Sequence, residues 1–316
     1  MPTNWPFWVG FNIFVLLMLV LDLGVLNRKA HVVKFREALG WTAVWVSLAG
    51  IFAVLVYFYG HLFVGHSTRS NHVLTLEFIT GYLVEESLSV DNLFVFLLIF
   101  RYFKVPGHFQ HKVLFWGIVG ALIMRGIFIF AGVSLINRFH WIIYAFGAFL
   151  VVMGLRLLGE SESQVNPEKN PVVRFVRKYV RLTPEYVGGK FFVRKDGLGY
   201  ATPLLLVLVV VETTDIAFAV DSIPAILSIT REPFIVFTSN VFAILGLRSL
   251  YFALAGMMEL FHYLHYGLAV ILVFIGGKML ASHWYDVPIT WALGVVVGVL
   301  VLSVATSIVF PSKKSA

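Results

Sequence analysis

Nine runs of apolar residues, each long enough to cross a bilayer, limit what this chain can fold into. They lie near residues 5–27, 42–60, 73–100, 112–136, 140–158, 201–227, 233–257, 262–282 and 287–310. About 20 apolar residues in a helix span the hydrocarbon core of a membrane. Hydrophobic residues make up 59% of the chain and charged residues only 13%, whereas soluble domains carry roughly 25% charged residues. We therefore predict an all-α polytopic membrane protein, with about nine transmembrane helices in a single domain over residues 1–316.

Several function classes are disfavoured by what the sequence lacks. It contains no cysteine, which excludes disulfides, thiolate zinc sites and cysteine nucleophiles. It also lacks the His-Glu-x-x-His and Gly-x-Ser-x-Gly motifs of hydrolases. We therefore expect no enzyme activity and no bound cofactor. The net charge of +7 is explained by basic cytoplasmic loops, so the expected surroundings are a lipid bilayer rather than nucleic acid.

The positions of lysine and arginine predict an N-out, C-in topology. In that orientation the inside loops carry 18 of the 24 basic residues, and the outside loops carry four. This asymmetry follows the positive-inside rule. The longest loop, residues 159–200, is then cytoplasmic.

Two elements are predicted within that cytoplasmic loop. Residues 172–181 form a basic amphipathic helix suited to the anionic inner leaflet. Its predicted apolar face consists of Val172, Phe175, Val176 and Tyr179. Further along, Asp196 and Gly197 predict the two-residue turn of a β-hairpin.

Spans 3 to 5 are repeated as spans 6 to 8. Residues 139–158 match residues 261–280 without a gap. The charged residues that align in the preceding helices are Glu85 with Asp215, Asp91 with Asp221, and Arg125 with Arg248. Because three spans is an odd number, the second copy must enter the membrane from the opposite side. We therefore predict an inverted repeat of residues 73–158 and 201–282, which is typical of secondary transporters with a binding site between the repeats.

Five carboxylates lie inside the predicted spans, where an ionised group is costly. They are Glu85, Asp91, Glu212, Asp215 and Asp221. Each costs about 2.5–3.5 kcal/mol at the bilayer centre on insertion scales. Arg125 and Arg248 are possible charge partners, but they offset at most two of the five charges. The other carboxylates must be protonated or must bind a cation, unless the whole set forms a static ion-pair network.

Helical spacing groups the polar residues of spans 3 and 6. Glu85, Ser89 and Asn92 share one stripe, and Asp215, Ala219 and Ser222 share another. Asp91 and Asp221 lie about a third of a turn away from these stripes. Because Pro224 cannot donate to the carbonyl of Val220, we predict that span 6 unwinds near Asp221 and exposes backbone carbonyls to the site.

These residues give a predicted set of oxygen ligands for a metal cation. The set is Glu85, Asp91, Asn92, Glu212, Asp215, Asp221 and Ser222. Such ligands suit Mn²⁺, Mg²⁺ or Ca²⁺, whereas Cu⁺ prefers sulfur and Zn²⁺ usually takes nitrogen or sulfur. The residues leave the choice among the three hard cations open. Proton exchange is a further hypothesis, because the carboxylates cannot all stay charged when no cation is bound. Asp22 and Glu77 are expected to be peripheral.

Two segments resemble a known family. Glu85-x-x-Leu88-x-x-Asp91-Asn92 and the segment from Glu212 to Ala225 resemble the signature segments of the TerC family of integral membrane proteins. Residues 191–195 and 200–204 are similar to its Alx-type branch. The resemblance covers nearly the whole chain and implies a multi-pass protein of the bacterial inner membrane, within the LysE-like superfamily. It also implies Mn²⁺ export carried by the five carboxylates, and a connection to tellurium resistance.

Two other functions remain open at this stage. One is a Ca²⁺/H⁺ exchanger of the same architecture. The other is a membrane scaffold for a metal or tellurium stress response, in which the carboxylates would be structural. The sequence does not determine the oligomeric state.

Overall fold

The computed structural model describes most of the chain. The described residues are 4–21, 35–65, 69–139, 141–159, 171–195, 197–255, 263–285 and 287–309. The side chains of Asp91, Pro171, Val172, Arg177 and Asp221 fall outside this description although their backbone is helical. The prediction made for Asp22 also lies outside the described residues.

Ten helices and one hairpin make up the described part of the chain. They are α1 (Trp5–Leu21), α2 (Phe35–Val64), α3 (Asn71–Tyr102), α4 (Gly107–Arg138), α5 (Ile142–Gly159), α6 (Pro171–Tyr179), β1 (Phe192–Lys195), β2 (Leu198–Ala201), α7 (Pro203–Leu227), α8 (Pro233–Ala255), α9 (Leu264–Ala281) and α10 (Ile289–Val309). Every helix except α6 coincides with a predicted span. The all-α polytopic fold is confirmed.

The helices differ in how well their composition suits a lipid environment. Six are long and apolar enough to cross a bilayer: α2, α4, α7, α8, α9 and α10. Two more, α1 and α5, are apolar but shorter. α3 has 32 residues but carries Glu77, Glu85, Glu86, Asp91 and Arg101, so its composition alone does not identify it as a span. That all nine helices cross the membrane stays a prediction.

α8 is the most enclosed of the six candidate spans. The buried share of its apolar window is 89%, compared with 17% for α10. Large apolar side chains on α1, α2 and α10 are exposed, as lipid-facing residues are; examples are Leu16, Val54 and Leu302. A helix enclosed by protein on all sides can carry polar groups without exposing them to lipid.

The way the helices pair agrees with two repeats related by a two-fold axis. α3 packs against α8, and α4 packs against α7. α3 also meets α7, α4 meets α8, and α5 meets α9. Suppose that α3, α4 and α5 are equivalent to α7, α8 and α9. A two-fold axis that exchanges the repeats then turns the α3–α8 pair into the α7–α4 pair, and it maps each of the pairs α3–α7, α4–α8 and α5–α9 onto itself. The repeat itself stays a prediction.

α5 and α9 cross with their backbones in close contact. A Cβ added to Gly147 would lie 2.9 Å from the carbonyl oxygen of Gly276, and one added to Gly276 would lie 2.6 Å from that of Gly147. Two turns away, a Cβ on Gly154 would lie 2.8 Å from the carbonyl oxygen of Ala269. The two helices are therefore antiparallel, as an inverted repeat requires. Small residues permit this approach between helices in membranes.

The predicted hairpin is present before α7. Lys195 pairs with Leu198, and Gly197, which lies between them, has a φ of 75° that glycine adopts without steric cost. The prediction for Asp196 lies outside the described residues. The loop just before the hairpin is hydrogen-bonded to the C-terminal end of α3 and to the first turns of α4. Tyr186 donates a hydrogen bond to the carbonyl of Phe103 at 2.8 Å, and burial raises the pKa of Tyr186 to about 12. The Lys112 ammonium donates to the carbonyl of Gly189 at 2.7 Å.

The amphipathic helix α6 packs against the protein core through two of its valines. Val173 and Val176 are buried in the same apolar cluster as Leu204. Phe175 and Tyr179 are exposed, at 60% and 65%. Phe175 and Tyr179 belong to the apolar face that was predicted to lie at the inner leaflet, and that placement stays a prediction. The helix has apolar residues on more than one side, and the protein core takes the smaller, β-branched ones.

Candidate cation site

Arg125 on α4 lies at the centre of a buried polar cluster. Its guanidinium donates hydrogen bonds to Glu85 Oε1 on α3 and to Asn240 Oδ1 on α8, the latter at 3.1 Å. It also lies 3.8 Å from Asp215 Oδ1 on α7. The Arg125 side chain is 2% exposed. One side chain thus links four helices, two from each predicted repeat.

The two stripes predicted from helical spacing both face the protein interior. Glu85, Ser89 and Asn92 on α3 are buried, as are Asp215, Ala219 and Ser222 on α7. Because α3 and α7 are packed together, this periodicity brings acidic and amide oxygens from the two predicted repeats into the same region. Ser89 Oγ adds a weak hydrogen bond to Glu85 Oε1 at 3.5 Å.

Among the side chains that the structure describes, three buried oxygens of the α3 and α7 stripes have no hydrogen-bond partner. They are Glu85 Oε2, Asp215 Oδ2 and Ser222 Oγ. An unsatisfied buried polar group costs about 1–3 kcal/mol, and more when it is charged. Carboxylate and hydroxyl oxygens are also the atoms that hard divalent cations bind. The cluster therefore has unused ligand atoms on both α3 and α7, with Ser222 two turns further along α7 than Asp215.

Glu212 lies one turn before Asp215 and is half-buried. Its carboxylate lies against Gly120 of α4, where an added Cβ would overlap both carboxylate oxygens. Asp215 is close enough to act on Glu212 electrostatically. Glycine at position 120 therefore makes the space that the Glu212 carboxylate occupies, a role that the sequence analysis did not identify.

Asn240 is a second residue that the sequence analysis missed. It is fully buried on α8, and its Nδ2 donates to the carbonyl of Val236 at 3.0 Å. This bond turns Oδ1 towards Arg125. An amide within the apolar run 233–257 was the available signal, since polar residues inside membrane helices usually have a partner.

The remaining predicted site residues are placed as follows. Among the described side chains, no group of three or more histidines and carboxylates lies close enough to form a metal site. The side chains of Asp91 and Asp221 fall outside that description, so the seven-residue ligand set stays a prediction. Arg248 is half-buried on α8, eight residues beyond Asn240.

The predicted unwinding of span 6 is wrong. α7 is helical from Pro203 to Leu227 and includes Pro224. Pro224 lies in the last turn, where its own carbonyl accepts from Ser228 N at 3.1 Å. A proline costs one helical hydrogen bond, and near the end of a well-packed helix that single loss does not break the helix.

Glu77, which was expected to be peripheral to the site, is buried at the start of α3 in a separate polar cluster. Thr230, between α7 and α8, donates to Glu77 Oε2 at 2.7 Å. Arg69 forms an ion pair with Glu77 Oε1 and donates to Thr230 Oγ1 at 3.3 Å. This cluster fastens the start of α3 to the connection between α7 and α8.

Comparisons with known proteins show extensive similarity. Residues 70–315 match the model of the family described as integral membrane protein TerC family. The membrane protein STKORF319 of Myxococcus xanthus is 50% identical over 302 residues, covering 96% of this chain and 92% of that protein. Alx of Escherichia coli K12, provisionally named a membrane-bound redox modulator, is 48% identical over 297 residues, covering 94% and 92%. A membrane protein of Rickettsia bellii is 37% identical over 302 residues, covering 96% and 97%. No solved structure matches the chain.

Proposed function

The chain belongs to the TerC family of integral membrane proteins, and we propose that it is a secondary transporter that exports a divalent metal cation, Mn²⁺, from the cytosol. The cation is the cargo and binds between α3 and α7. The predicted metal ligands are the seven residues named from the sequence, with Glu85 and Asp215 at the centre.

The observation that supports this proposal most directly is the set of unpartnered oxygens. Glu85 Oε2 and Asp215 Oδ2 are buried and accept no hydrogen bond from the described residues, although the other oxygen of each carboxylate contacts Arg125. A static ion-pair network would be expected to satisfy both oxygens of each carboxylate, because leaving one unsatisfied in the interior is costly. A transient cation accounts for oxygens that are buried yet unused.

The charges in the cluster also favour a cationic cargo. One guanidinium faces two carboxylates, Glu85 and Asp215, and Glu212 adds a third carboxyl group one turn before Asp215. Low dielectric makes such an excess of negative charge unfavourable unless protons or a metal ion balance it. Exchange of protons for the metal remains part of the proposal for this reason.

Manganese, the export direction and the bacterial inner membrane are supported by the family resemblance rather than by the geometry. The name given to the Escherichia coli relative refers to redox modulation. A redox role through thiol chemistry is closed to this chain because it contains no cysteine. Metal transport through carboxylate ligands would require no cysteine.

Flux in proteoliposomes tests the proposed function. Purified protein should move Mn²⁺ across the vesicle membrane, and Asp215→Asn should reduce the initial rate at least tenfold. Glu185→Gln, an exposed carboxylate in the loop before the hairpin, is the matched control and should transport like the unmodified protein. Equal rates for Asp215→Asn and the control would contradict the proposal.

Two further measurements in the same vesicles separate the alternatives. Competition with Ca²⁺ and Mg²⁺ distinguishes a manganese transporter from a Ca²⁺ exchanger. A pH-sensitive dye inside the vesicles reports proton movement. Mn²⁺ flux with no opposing proton movement would remove proton exchange while leaving metal transport in place.

A further inference from the structure

Arg125 places a fixed positive charge beside the carboxylates that would hold the metal. Its guanidinium contacts one oxygen of Glu85 and one of Asp215, the two central carboxylates of the proposed site. We infer that Arg125 is a built-in counter-cation, which holds these carboxylates while no metal is bound and is displaced from them when the metal binds. This inference rests on the proposed function and specifies how the empty site is neutralised.

The chemistry of the guanidinium supports this role. Arginine keeps its charge under all ordinary conditions, and its planar fork can serve two carboxylates at once. Metal bound at Glu85 Oε2 and Asp215 Oδ2 would place a divalent charge within a few ångströms of this fixed positive charge. Like charges so close repel strongly inside a protein. Arg125 and the metal therefore compete for the same carboxylates.

The contacts of Arg125 also suggest what its displacement does. Glu85 and Arg125 belong to the first predicted repeat, whereas Asp215 and Asn240 belong to the second. While Arg125 is in place, it fastens the two repeats to each other at the buried site. Binding of the metal would release that fastening, and the empty carrier would restore it. The same side chain thus neutralises the vacant site and links cargo binding to the relative movement of the repeats.

Binding of Mn²⁺ to the Arg125→Gln variant tests the competition directly. Free Mn²⁺ is measured by electron paramagnetic resonance during titration of the full-length protein in detergent. Loss of the competing charge should tighten binding at least tenfold. If Arg125 only supported the fold around the site, its removal would weaken binding. Unchanged or weaker binding in Arg125→Gln therefore overturns the inference.

Arg125→Lys is the second variant, and it decides the matter if Arg125→Gln does not fold. Lysine keeps the charge but cannot present a planar fork to two carboxylates. We expect about threefold tighter binding of Mn²⁺ than in the unmodified protein. Affinity equal to or below that of the unmodified protein overturns the inference.

Transport in proteoliposomes distinguishes this inference from the proposed function. Arg125→Gln should still exchange labelled Mn²⁺ inside for unlabelled Mn²⁺ outside, because the loaded carrier needs no counter-cation. Its net efflux into Mn²⁺-free buffer should fall at least tenfold, because Glu85 and Asp215 of the empty carrier have lost the counter-cation that holds them during the return step. Net efflux equal to that of the unmodified protein overturns the inference alone. Absence of both exchange and net flux in the unmodified protein removes the proposed function.

Discussion

Replacing Gly120 with alanine should disable the site with little effect on the stability of the fold. The added Cβ would overlap both oxygens of the Glu212 carboxylate, so that carboxylate must leave its position. The overlap involves only the end of a flexible side chain. Rotating Glu212 away from a preferred rotamer costs about 0.5–1.5 kcal/mol, whereas alanine favours a helix over glycine by about 0.8–1.0 kcal/mol. The two effects nearly cancel.

The effect on transport should be much larger than the effect on stability. Loss of groups that support a metal ligand typically lowers affinity about 10- to 100-fold, and displacing a ligand should cost at least as much. We therefore expect the KM for Mn²⁺ transport to rise at least tenfold in Gly120→Ala. The assay is initial flux in proteoliposomes over a range of Mn²⁺ concentrations, combined with thermal unfolding monitored by tryptophan fluorescence.

A matched control is available on the same helix. A Cβ on Gly126 would lie 3.6 Å from Phe237, an ordinary contact, so Gly126→Ala should leave KM unchanged and should not lower Tm. Gly120→Ala protein that is as stable as this control and transports with an unchanged KM would refute a ligand role for Glu212. A large fall in Tm would refute the reasoning that only the end of the Glu212 side chain is displaced.

Three further predictions concern stability, each measured as the unfolding transition of the purified protein. Thr230→Val removes a hydrogen bond to buried Glu77 and should cost about 1–3 kcal/mol; an unchanged transition would contradict a structural role for that cluster. Gly276→Ala should lower Tm, since overpacking costs about 1–3 kcal/mol, whereas Gly277→Ala, with open space around it, should not. The pKa of Tyr186 is raised from 10.0 to about 12, so the stabilisation of the folded protein by its neutral phenol is complete below pH 10 and is lost between pH 10 and 12. The stability of Tyr186→Phe should therefore fall less over this pH range than that of the unmodified protein.

The sequence was most informative where the physics is local. Apolar runs gave the positions of the helices, because each backbone polar group in lipid must be satisfied within its own segment. Helical periodicity identified the buried stripes containing Glu85 and Asp215. The Asp196–Gly197 pair predicted the hairpin turn, because glycine tolerates the positive φ that the turn requires.

The errors and omissions arose where contacts between distant segments decide the outcome. Pro224 suggested an unwound helix, but its position in the last turn of α7 limits the damage to one hydrogen bond. Gly120 and Asn240 could not be assigned partners, because their roles depend on which helices meet at the site.

The crossing of α5 and α9 has a mechanical consequence. Where Gly147 faces Gly276, the main chains of the two helices are in direct contact, with the side chains of Val151 and Met279 beside them. Rotation of α5 relative to α9 about this point requires less repacking than separation of the two helices, because separation would lose the close contact entirely. The crossing therefore has the properties of a pivot, which constrains the direction of motion while leaving its angle free.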